Sequence, residues 1–167
     1  MSTGAPLVVG LERPPIGVVA VVALRLTALP WPQRAALALS VLLALFGLAG
    51  FAVTGFDDFL GAGPDYVLGL RVNPLQNTIY LATGVIGLTM CWRARSARVF
   101  GALMAPVYLV VFAIGAPSGE VAGTGPLNAN SAMGFVHLLI GFAAVVIAQG
   151  CAWTEQAARH RRRHHKA

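Results

Sequence analysis

Four stretches of this chain, residues 35–54, 74–92, 99–116 and 132–153, contain no Asp, Glu, Lys or Arg. Each is 18–22 residues long. At about 1.5 Å per helical residue, that length matches a hydrocarbon core of about 30 Å. None shows the polar face that a surface helix of a soluble protein needs. The period-two alternation of a membrane barrel is absent. The pattern predicts an all-α integral membrane protein, a four-helix bundle. Composition agrees, with 57% of residues hydrophobic and 11% charged, where soluble domains carry about a quarter charged residues. In lipid the outer face of each helix stays apolar at no cost.

The connections divide the chain. Residues 35–153 form the expected four-span membrane domain, between a cytoplasmic N-terminal segment, 1–34, and a basic cytoplasmic tail, 154–167. In the first segment a nine-residue apolar run, 16–24, ends at Arg25 and is bracketed by Pro14, Pro15, Pro30 and Pro32. It is too short to span and is expected to form a short interfacial helix. Spans two and three are expected to join through a tight turn at 93–98. The other two connections, 55–73 and 117–131, are longer and lie on the opposite side. Pro74 at the start of span two is harmless, because its missing N–H needs no partner there. Pro106 is expected to kink span three.

Orientation follows from charge. Arg34, Arg93, Arg95 and Arg98 join the tail residues Arg159, Arg161, Arg162, Arg163 and Lys166 on one side, against Arg71 alone on the other. Positive charge accumulates on cytoplasmic loops, so both termini are expected in the cytoplasm of a cell-membrane protein. Trp31, Trp92 and Trp153 all fall at the cytoplasmic ends of spans, where amphipathic rings settle among headgroups. The basic tail is expected to contact anionic lipid headgroups. The net charge of +6 does not indicate nucleic acid, since it is concentrated in that tail and one turn. Cys91 and Cys151 are expected to be reduced, small apolar fillers. No metal site is expected, and the tail histidines His160, His164 and His165 lack a fixed scaffold.

Two segments line up. Asn73 is followed seven positions on by Tyr80 and eleven on by Gly84; Asn130 is followed at the same spacings by His137 and Gly141. The simplest account is two parallel copies of a helix pair. Asn77, Tyr80 and Gly84 share a helix face, as do Gly134, His137 and Gly141. Gly84, Gly134 and Gly141 are expected to let a neighbouring backbone approach. Asn73, Asn77, Tyr80, Asn130 and His137 are expected to form a polar cluster near the outer surface where spans two and four meet. Packing and capping are one use for it; a small-molecule, ion or lipid site is another. The chain has no HExxH, CxxC, CxxCH or phosphate-loop motif, and no cofactor is expected.

The segments NPLQNTIYLATGVIGL, followed by an Arg-rich turn, and PLNANSAMGFVHLLIGFAAV resemble the domain-of-unknown-function family 4383. The resemblance covers residues 35–152 and implies a small four-span membrane protein of a family found mainly in actinobacteria. Asn73, Pro74, Asn77, Gly84, His137 and Gly141 match the family pattern. Tyr80 stands where the family has His, and Asn130 with Ser131 stands where an Asp-Asn pair is common. The resemblance implies architecture rather than activity. On the residues themselves, the expected role is that of a non-enzymatic envelope or accessory component. A carrier or binding protein is the first alternative, and an enzyme acting on lipid or quinone the second. A protein partner or homo-oligomer is left open.

Overall fold

The computed structural model describes residues 17, 23, 26–61, 63–115 and 127–164. Four long helices carry it: α1, Trp31–Thr54; α2, Pro74–Met90; α3, Ala94–Gly115; and α4, Ser131–His164. A small antiparallel hairpin lies between α1 and α2, with strands β1, Tyr66–Val67, and β2, Leu70–Arg71. Most of the short helix expected over 16–24 lies outside the described residues, as do His165 and Lys166; Ala23 and residues 26–28 are helical.

Local sequence explains most helix ends. α1 begins four residues before the expected boundary, with Pro30 at its cap and Pro32 in its first turn, where proline's missing N–H has no helical partner to lose. It ends at Gly55, whose φ of 64° suits glycine and whose N–H donates to Phe51 O at 2.9 Å. α2 starts where the Asn73 side chain accepts from Gln76 N at 2.9 Å.

Two further boundaries differ from the sequence reading. The expected turn at 93–98 contracts to residues 91–93, because Ala94 through Arg98 already form the first turns of α3. α3 holds Pro106 within its length. α4 continues past Trp153 and carries Arg159, Arg161, Arg162 and Arg163 of the basic tail. No Gly or Pro interrupts residues 154–164, and Ala, Gln and Arg propagate the helix well. An ion pair between exposed Arg98 and half-buried Glu155, at 3.7 Å, joins it to α3.

α1 packs along α2, and α3 along α4, while contacts between the two pairs are sparser. Small residues set the close approaches. A Cβ at Gly84 would lie 2.5 Å from Ala44 N and 2.7 Å from Ser40 O on α1, and one at Gly101 would lie 2.6 Å from Ala144 O on α4. Gly141 packs on the Leu109 side chain, at 3.0 Å from such a Cβ. Gly134 does not serve this purpose: an added Cβ meets nothing within 4 Å.

One core cluster gathers Leu43, Val72, Tyr80, Tyr108, Met133 and Ile140; a second, towards the other end, gathers Ala36, Cys91, Ala97, Phe100, Ile147 and Cys151. The outer faces are the reverse of a soluble protein's. Leu42, Leu45, Leu48, Leu103, Val110, Phe135, Leu139 and Phe142 are exposed, which only hydrocarbon accommodates at this density. Among the described residues, three helices are long and apolar enough to cross a membrane: Trp31–Thr54, the Ala94–Ala113 stretch of α3, and Ser131–His164. The chain is a multi-pass, all-α membrane protein apart from its small hairpin.

Candidate functional site: a buried aromatic and polar cluster

The centre of the first core is polar as well as aromatic. Tyr80 on α2 and His137 on α4 meet with Oη and Nε2 2.6 Å apart. Tyr80 Oη also lies 3.1 Å from Met133 Sδ, and Gln76 Nε2 lies 3.5 Å from His137 Nε2. Tyr108 on α3 closes the group, its ring centroid 6.1 Å from those of both Tyr80 and His137. Phe46 on α1 meets the Tyr80 ring edge-on at 5.2 Å. All four helices therefore contribute a ring or amide to one centre.

This centre is closed. Tyr80, Gln76 and His137 are each 1% exposed. Polar groups on membrane spans lower their energy by pairing inside the protein rather than facing lipid. The roof is built from loops. Asn128 Nδ2 donates to Gly63 O at 2.9 Å and to Val72 O at 3.1 Å. Asn130 Nδ2 donates to Gly69 O at 3.2 Å, while its Oδ1 accepts from Met133 N at 3.0 Å. The second pair of helices is in this way fastened to the hairpin of the first.

Of the five residues expected to cluster, only Tyr80 and His137 touch within the aromatic centre. Asn73 and Asn130 cap α2 and α4. Asn77 turns to α1, donating from Nδ2 to Thr54 Oγ1 at 3.0 Å and occupying the space a side chain at Gly50 would need. Gln76, Tyr108, Met133 and Asn128 were not anticipated. Gln76 was detectable in principle, as an uncharged polar residue inside an apolar run that needs a buried partner. Tyr108 offered no comparable signal.

Several buried atoms have no hydrogen-bond partner among the described residues: Gln76 Oε1, Asn77 Oδ1, Asn128 Oδ1 and His137 Nδ1. The His137 case follows from proton counting. If the Tyr80 hydroxyl donates to Nε2, Nδ1 carries the ring proton; if it donates to Met133 Sδ, Nε2–H donates back and Nδ1 is an acceptor. Either way Nδ1 has hydrogen-bonding capacity to spare. Beside this centre, an apolar groove of about 230 Å³ lined by Leu39, Leu42, Leu43, Phe46, Leu70, Tyr80, Val136 and Ile140 runs between α1 and α4. Among the described residues no group of three or more His, Cys, Asp or Glu is placed to hold a metal ion.

No curated protein and no solved structure matches the chain. The family model described as Domain of unknown function (DUF4383) matches residues 33–149. Those residues contain all of α1 but its first two residues, α2, α3, the hairpin and the first half of α4, including every residue of the buried centre, and the chain belongs to the DUF4383 family.

Proposed function

We propose that this protein is a non-enzymatic membrane component, an envelope or accessory subunit, whose buried centre fixes two helix pairs against each other. The observation that carries this reading is the enclosure of Tyr80 and His137, which meet at 2.6 Å with almost no exposed surface. A buried tyrosine–histidine contact in hydrocarbon is costly to separate, because each group would lose its partner. The architecture that fits is a four-span bundle of two parallel repeats, α1–α2 and α3–α4. The matching spacings of Asn73, Tyr80 and Gly84 with Asn130, His137 and Gly141 support it, as do the equivalent caps. α2 is 17 residues long, about 25 Å, and reaches a membrane thickness with Cys91 and Trp92.

The orientation that fits has both termini in the cytoplasm, on the grounds of the Arg and Lys distribution. Arg159, Arg161, Arg162 and Arg163 would then face anionic headgroups from the end of α4. A reporter fused after residue 167 that is active only in the periplasm or outside the cell would overturn that orientation.

The test of the main reading replaces His137 with Phe and with Asn in a strain otherwise lacking the protein. Any rescue of the deletion phenotype is expected to follow protein abundance. A specific loss at normal abundance and normal thermal stability in detergent would sink the reading. The second reading, a binding protein for a small amphiphile, is favoured by one observation: unpartnered Gln76 Oε1 and His137 Nδ1 in a centre bordered by the groove beside Tyr80.

A further inference from the structure

The hairpin carries a residue that its own backbone disfavours. The two central positions of its turn are Leu68 and Gly69, with φ of 53° and 79°. A two-residue loop with positive φ at both positions is of the type I′ class, where Asn-Gly, Asp-Gly or Gly-Gly satisfies the backbone. Glycine meets the requirement at 69, but leucine at 68 stands in the left-handed region with a branched side chain. That side chain is also 91% exposed, so no packing inside the protein offsets the strain.

Leu68 is not isolated. Phe56 is 75% exposed and Leu60 61%, with Phe59 and Tyr66 also exposed, all in the same connection between α1 and α2. Phe56 stacks on Phe51 of α1 at 4.7 Å. Phe51 and Phe56 in turn border the shallow apolar surface made with Leu81, Val85 and Ile86 of α2. The exposed apolar residues of the loop therefore continue the outer face of the α1–α2 pair, which in a membrane protein meets lipid. Asp57 and Asp58 sit in the same stretch and are exposed; carboxylates stay at headgroup level, so any insertion is shallow.

We infer that the connection 55–71 is a membrane-surface anchor, with the Leu68 tip and its aromatic neighbours seated in the interfacial layer of the bilayer that α1 and α2 cross. The occupant of this surface is phospholipid. Lipid supplies what the strained leucine lacks, an apolar environment for a side chain that the turn itself would replace with Asn or Gly. Held this way, the hairpin keeps Gly69 O and Gly63 O where Asn130 and Asn128 reach them, and so holds the roof over the buried centre.

The test uses the full chain with Leu68→Cys carrying a nitroxide, reconstituted in phosphatidylcholine–phosphatidylglycerol vesicles. Cys91 and Cys151 are fully buried, so the label goes to the introduced thiol. Molecular oxygen, which partitions into bilayers, is expected to collide with the label more often than a water-soluble nickel chelate does. The ratio should lie below that of a Leu42→Cys label on the outer face of α1. Nickel collisions in excess would show the tip in water and overturn the inference. Poor access for both reagents would show protein covering the tip, a second copy included, and overturn it equally. Tyr66→Cys repeats the measurement should the tip variant yield no folded protein.

Discussion

Tyr80 Oη and His137 Nε2 lie 2.6 Å apart although their helices, α2 and α4, have backbones that barely approach each other. The contact is made by two long side chains reaching across the seam between the pairs. These residues also hold equivalent places in the two similar segments, seven positions after Asn73 and Asn130 respectively. A link of this kind resists sliding of one pair along the other, which the sparse contacts between pairs would otherwise oppose only weakly.

Tyr80→Phe is expected to lower unfolding stability in detergent by about 1 kcal/mol, the usual range for a hydrogen bond between membrane helices. His137→Phe is expected to cost more, since it leaves the Tyr80 hydroxyl and Gln76 amide without that partner. In a double-mutant cycle the two changes should couple. Strict additivity would mean that the close approach contributes nothing.

Two glycines separate close packing from mere smallness. Gly84→Ala places a methyl against backbone atoms Ala44 N and Ser40 O, so α1 and α2 must part, at a cost of about 1–3 kcal/mol. Gly134→Ala meets open space and is expected to be neutral or stabilising by up to about 1 kcal/mol through helix propensity. Thermal midpoints of the two variants, measured side by side, should move in opposite directions or differ clearly.

The caps of α2 and α4 should loosen different parts of the connection between α1 and α2, since Asn73 Nδ2 donates to Gly61 O at 3.4 Å and Asn130 Nδ2 to Gly69 O at 3.2 Å. Asn73→Ala and Asn130→Ala each remove an acceptor from a helix N-terminus, worth about 1 kcal/mol. Asn130→Ala also frees Gly69 O of the hairpin. Amide hydrogen exchange around residues 66–71 is therefore expected to rise in that variant. Unchanged exchange there would argue that the hairpin does not depend on α4.

Cys91 and Cys151, both without exposed surface, are expected to resist a water-soluble maleimide in the folded protein and to react after unfolding in detergent. Modification of either thiol under native conditions would indicate that the second core cluster opens at that end of the helices.

Much of the helical framework was legible because lipid imposes a simple rule: uncharged runs of the right length, each satisfying its own backbone hydrogen bonds. The residues near 35–54 and 132–153 needed nothing more. Boundaries erred where the rule is silent. Residues 94–98 and 154–164 are charged and lie outside the apolar runs, yet they continue helices, since Arg, Ala and Gln have good helix propensity whatever surrounds them.

The sequence by itself determined that this chain lives in a membrane, how long its apolar segments are, and that two of them open with the same Asn, ring and Gly spacing. Only the tertiary structure decided that Tyr80 meets His137 inside a closed centre, that Asn77 turns away to Thr54, and that Gly134 faces space where Gly84 faces backbone. Helical periodicity assigns a residue to a face. What that face meets depends on the rotation and separation of neighbouring helices, and these arise from the packing of all of them at once.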